Sequence, residues 1–192
     1  MCYNYNEKIY EAIEEYLFCK NMIFYADDRK GCFFFDAAAD TKFCKKIRCK
    51  LDVAEGRYTV YCMMPFVPDS AVPDEMAKMY ELVCRANRGM PFGRFEICPD
   101  TGEICCRYAA DCSGGVPDEE RIEACIRIPV EAVLCYMDAF LAVLRDIPPK
   151  EACMEADRRF REKEPRMLLR EIILEQARLP ELERVPVMSQ SL

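Results

Sequence analysis

The sequence predicts an α+β fold of two layers, an antiparallel sheet of five strands or slightly more with helices on one face. Three observations carry this. Apolar residues recur at helical spacing near the start, middle and end of the chain, two long stretches alternate apolar and polar residues, and Gly or Pro turn signals mark several of the boundaries between segments. The predicted order is α-β-β-β-α-β-β-α, followed by a helical extension.

In "NYNEKIYEAIEEYLFCK" (residues 4–20), Ile9, Ile13 and Leu17 form a stripe, with Glu11, Glu14 and Glu15 away from it. "NMIFYADDRKGCFFFD" holds two short β-prone runs around "DDRKG", a hairpin pattern. In "FCKKIRCKLDV", Phe43, Ile47, Cys49, Leu51 and Val53 share one face, and Cys44, Lys46, Arg48, Lys50 and Asp52 share the other. "AEG" turns the chain, and Tyr58, Val60, Cys62, Met64 and Phe66 then make the next apolar face. Pairing Val53 with Tyr58 makes the two apolar faces coincide, as one-sided burial requires.

The second helix opens at Pro73 and Asp74 and closes at Gly89 and Pro91, with Met76, Met79, Tyr80 and Val83 inward. "FEICPDTGEICCRY" then reads as a hairpin, Arg94–Cys98 with Glu103–Tyr108, turning at Gly102. Pairing Ile97 with Ile104 groups Phe95, Ile97, Ile104, Cys106 and Tyr108, and sends Cys98 and Cys105 to the opposite face. A helical region follows "DCSGG", expected to break near Pro129, with Val130, Val133, Leu134, Met137, Leu141 and Leu144 as its stripe, widened by Phe140. "IPP" at 147–149 separates a body (1–147) from an extension (148–192) of two helical stretches parted at Glu164-Pro165 and ending before Pro180. Met167, Leu168, Leu169, Ile172, Ile173 and Leu174 are too many apolar residues for a free helix, so they need cover from the same chain or from a second copy.

The stretch "ANRGMPFGRFEICPDTGEICCRY" and the helix "IRIPVEAVLCYMDAFLAVL", taken with the order of elements, resemble the YbjN family over roughly residues 7–145. The resemblance implies the fold of type III secretion chaperones, a small α+β domain that dimerises and binds other proteins. It brings no catalytic constellation with it. The chain departs from the family in its cysteine content and its long extension after Ile147.

Composition narrows the chemistry. The 192 residues are 52% hydrophobic and 32% charged, which suits a folded core. A net charge of −7 argues against nucleic acid as the main partner. No apolar run reaches membrane-spanning length and no signal sequence opens the chain, so a cytoplasmic protein is expected. There is no histidine, which removes the commonest general base and metal ligand. The fourteen cysteines form no CxxC pair, and Cys44 and Cys49 fall on opposite strand faces, so they read as small apolar residues and no metal or other cofactor is expected. Among lysines and arginines, Cys44 is the best candidate for an activated thiol, but it has no histidine to serve as base. Ser113 lacks the GxSxG context, and "GMPFG" lacks the lysine of a phosphate loop. Asp27–Asp28 lie in a turn, and Glu119–Glu120 suit a helix start.

The expected function is therefore non-enzymatic: a binding or chaperone-like regulatory module for protein partners, working as a homodimer. The expected contact surface is Lys46, Arg48, Lys50, Tyr61 and Met63, with Lys50 facing Tyr61 and Arg48 facing Met63, suited to an acidic or amphipathic segment. The alternative is a thiol-based redox sensor using Cys44, Cys98 or Cys105.

Overall fold

A computed structural model describes residues 4–39 and 41–176, with side chains as far as Glu162. Its order is α1 (Glu7–Cys19), β1 (Phe24–Asp27), β2 (Cys32–Ala38), β3 (Lys46–Val53), β4 (Arg57–Met63), α2 (Pro73–Gly89), β5 (Arg94–Ile97), β6 (Ile104–Asp111), α3 (Glu119–Val143) and α4 (Pro149–Gln176). The strands form one antiparallel sheet in the order β1-β2-β3-β4-β6-β5. The "DDRKG" hairpin supplies β1 and β2, so four strands rather than three precede α2 and the sheet has six.

Each start and turn has a local cause. Asn6 Oδ1 caps α1 by accepting from the backbone N–H groups of Lys8 and Ile9 at 3.1 and 3.2 Å. Asp118 caps α3 in the same way through the Arg121 N–H, at 2.9 Å. The β1–β2 turn needs Gly31, at φ 67°, because a Cβ there would run into the Tyr5 ring. Tyr5 Oη donates to the Asp28 carbonyl at 2.6 Å, which ties the segment before α1 to this turn. Gly102, at φ 73°, is required twice over, since its Cβ would lie 2.7 Å from the Pro68 carbonyl oxygen.

The predicted registers Val53↔Tyr58, Lys50↔Tyr61 and Ile97↔Ile104 are all present. One sheet face is buried under the helices: Phe33, Phe35, Ile47, Cys49, Leu51, Tyr58, Val60, Cys62, Phe95, Ile104 and Cys106 are closed to solvent. Ile9, Ile13 and Leu17 from α1 and Met79, Leu82 and Ala86 from α2 join Val133, Tyr136 and Phe140 of α3 in the same core. Burial of this apolar area is the main stabilising term, at about 25 cal/mol per Å².

Several expected details shift. Phe43 precedes β3 and is exposed, because the ladder begins only at Lys46. Tyr80 is partly exposed, its expected place taken by Leu82 and Ala86. Leu134, Leu141 and Leu144 are only half-buried, because the centre of the α3 stripe runs through Val133, Tyr136, Met137 and Phe140. The helix does not break at Pro129, which sits buried inside α3. A proline there forfeits one backbone hydrogen bond and clashes with the preceding turn, a cost of ~3 kcal/mol in an exposed helix, set here against burial on both sides by Ile128 and Val130.

The first part of α4 packs on α3 and α2 through Cys153, Ala156 and Phe160. The Tyr136 ring lies 5.9 Å from that of Phe160. Helix α4 runs on through Glu164-Pro165, where two stretches were expected. The side chains of Met167 to Leu174, for which cover from the same chain or a second copy is expected, and the expected stop before Pro180 lie outside the described residues.

Candidate protein-binding face

With the helices on one side, the other sheet face is left open. Alternation along each strand sends Tyr25, Phe34, Lys50, Tyr61, Arg107 and Arg94 to it, and the registers set these six in one row across the sheet. Tyr25 is 66% exposed and Phe34 39%, with ring centroids 6.2 Å apart. Lys50 Nζ lies 5.9 Å from the Tyr61 ring centre, a cation–π contact at the long end of the range. Of the expected contact residues, all five lie on this face. Lys46 and Arg48 are exposed; Lys50, Tyr61 and Met63 are half-buried. The β3–β4 ladder runs as far as Cys49↔Cys62, so the Arg48–Met63 pair falls one step past its end.

The charges on this face are largely matched. Lys46 pairs with Asp36 at 3.4 Å, Lys50 with Asp52 at 2.8 Å and Arg107 with Glu96 at 3.0 Å. The hydrogen bond to Asp52 raises the Lys50 pKa. Such half-exposed pairs contribute little to stability, but they fix where the cations stand. Arg48 and Arg94 form no ion pair among the described residues, so they are the cations available to a newcomer.

Where β4 leaves the sheet, a hollow of about 530 Å³ opens between Lys46, Arg48, Met63, Phe66, Val67 and Glu103. Val67 is 53% exposed at its rim. The hollow therefore joins three of the expected residues to an apolar wall that strand parity alone could not reveal, because Phe66 and Val67 follow the strand. The rings of Tyr25 and Phe34 were also missed. The alternation of Phe33, Phe34 and Phe35 in "CFFFD" is the signal that could have found Phe34.

The two edges of the sheet differ. On β5, Asn87 Nδ2 donates to the Phe95 carbonyl at 2.9 Å and the Phe95 N–H donates to Asn87 Oδ1 at 2.7 Å, so α2 occupies that edge. At β1, Ile23 (91% exposed) and Tyr25 mark the other.

The thiols divide by environment. Cys98 stands in the β5–β6 turn, where the Thr101 hydroxyl, followed by the backbone N–H groups of Thr101 and Asp100, holds its pKa below the ordinary thiol value. Burial pushes Cys105 up to about 11. Cys44 is half-buried and receives contacts from Thr41, whose Oγ1 lies 3.6 Å from its Sγ. Cys49 and Cys62 are buried cross-strand neighbours, Sγ to Sγ 3.3 Å, with Cys106 next in the row on β6. Among the described residues, no group of three or more cysteine and carboxylate side chains is placed to hold a metal ion. No described helix is long and apolar enough to cross a membrane.

Layering and register thus define an α+β protein with one covered and one open sheet face. The family resemblance is shown by direct comparison: residues 59–142, from β4 to the end of α3, match the YbjN family, described as "Putative bacterial sensory transduction regulator". Among solved structures, YbjN from E. coli, described as "a putative transcription regulator", is 15% identical, with 61% of this chain and 87% of that one covered at a TM-score of 0.38. No curated protein matches the chain.

Proposed function

We propose that this protein is a non-catalytic regulatory module that binds protein partners on the open face of its sheet. The observation that carries this reading is the single row of Tyr25, Phe34, Lys50, Tyr61, Arg107 and Arg94 across all six strands. Tyr, Phe, Met and Arg are the side chains that interfaces enrich. The favoured partner is an acidic or amphipathic segment, with carboxylates meeting Arg48 and Arg94 and apolar side chains entering the hollow at Met63 and Phe66. The family description as a sensory transduction regulator supports a regulatory role. Chaperone-like action, a homodimer and a cytoplasmic setting belong to the same proposal.

The test is comparative capture. Immobilised wild type, Arg48→Glu, Tyr61→Ala and, as a helix-side control, Arg145→Glu are exposed to one native lysate, and retained proteins are identified by mass spectrometry. A protein kept by wild type and the control but lost from both face variants supports the reading. Equal retention by all four overturns it.

A second reading, thiol sensing, is favoured by the half-exposed Cys98 and the hydrogen bonds that stabilise its thiolate. In that case mild peroxide would modify Cys98 before any other thiol, and the modification would alter partner binding.

A further inference from the structure

The helical layer holds a second feature, independent of the open sheet face. Between α2 and α4 lies a groove of about 660 Å³, within the range of small-molecule sites. Arg85, Arg88, Lys150 and Arg161 line it, against the two carboxylates of Glu81 and Asp157. In a chain of net charge −7, four cations in one groove run against the average field and repel one another.

The two carboxylates do not neutralise them. Glu81 is taken by Arg85, at 2.6 Å. Asp157 is held at the floor, where its Oδ1 accepts from the Tyr136 hydroxyl at 2.6 Å and the Cys153 thiol at 3.3 Å. Arg88, Lys150 and Arg161 make no ion pair or side-chain hydrogen bond among the described residues. All three are exposed, so they can turn toward a ligand at little cost. Met154, 66% exposed, adds an apolar wall beside them.

We infer that this groove binds a phosphorylated small molecule, its phosphoryl group held by Arg88, Lys150 and Arg161 and its apolar part resting on Met154. Guanidinium forks match phosphoryl oxygens in pairs, and the lysine adds a point charge. A phosphate monoester carries close to two negative charges at neutral pH, which three cations unpaired among the described residues suit better than they suit a single carboxylate. The acidic floor keeps the anion at the rim, where solvent screening makes binding fall with added salt.

The experiment is a titration of inorganic pyrophosphate into the full-length protein, followed by amide chemical shifts. Wild type should show saturable shifts confined to residues 81–89 and 150–161. The double variant Arg88→Glu/Arg161→Glu should bind about tenfold more weakly or worse, since each lost charge-assisted contact is large on this scale. Glu81→Gln, which releases Arg85, should bind more tightly and so tests the groove without depending on the double variant. Arg57→Glu, on β4, should behave as wild type. Absence of saturable shifts in wild type, shifts centred elsewhere, or equal affinity in Glu81→Gln and the double variant would overturn the inference.

Discussion

Lys50 and Tyr61 stand opposite each other on β3 and β4, on the open side of a sheet whose next residues in each strand, Leu51 and Val60, are fully buried. One residue of parity therefore separates the surface from the core. Leu51→Ala should cost about 2–5 kcal/mol, as large-to-small core changes do. Tyr61→Ala, at a half-buried position on the open face with a long cation–π contact to Lys50, should cost under about 1 kcal/mol. Urea denaturation of the two variants checks the register, and equal losses would mean that the face is not open.

Cys49 and Cys62 should remain thiols that alkylating reagents cannot reach in the native state. Burial, followed by the hydrogen bond with Cys49, which favours the protonated Cys62 thiol, pushes the Cys62 pKa well above the ordinary thiol value, so almost no thiolate exists at neutral pH. Mass spectrometry after native and then denaturing alkylation should find both sites labelled only in the second step. Cys62→Ala should destabilise by roughly 0.5–1.5 kcal/mol, as for loss of one buried methyl-sized group.

The turn thiol should behave in the opposite way. Because its pKa is lowered, Cys98 is a thiolate at a pH where Cys105, pushed up to about 11, is still protonated. Alkylation of Cys98 should therefore reach half its maximal rate at a lower pH than that of Cys105, and Thr101→Ala should move the Cys98 midpoint upward. Peptide mapping across a pH series reads both.

Tyr136 fastens α4 to α3 through its hydroxyl on Asp157. Tyr136→Phe leaves the carboxylate with Cys153 and solvent, so a loss of about 1–2 kcal/mol is expected. A thermal melt of the variant unchanged from wild type would mean that water replaces the hydroxyl fully.

Strand parity makes much of this structure legible in the sequence. Alternation in "KIRCKLDV" and "YTVYCM", joined by "AEG", placed Lys50 against Tyr61 and Cys49 against Cys62, because a slip of one residue would have buried lysines. Pro129 misled for a physical reason: local propensity penalises it, while its burial within α3, between the buried Ile128 and Val130, overrides propensity. The ion pair that tames Lys46 was invisible, since Asp36 lies ten residues from it in sequence and meets it only through the β2–β3 register, whereas Lys50 and its partner Asp52 already shared one face of β3. The groove between α2 and α4 was equally hidden, because its cations come from segments more than sixty residues apart.

Binding kinetics of a captured partner, measured at two salt concentrations with wild type, Arg48→Glu and Tyr61→Ala, test the central claim most directly. Among the described residues Arg48 has no ion pair to lose, so its reversal should slow association and flatten the salt dependence with little effect on folding. Tyr61→Ala should instead speed dissociation, at a cost of about 1–2 kcal/mol in affinity. Association and dissociation rates unchanged in both variants would contradict the account, and the open face would then be ordinary solvated sheet.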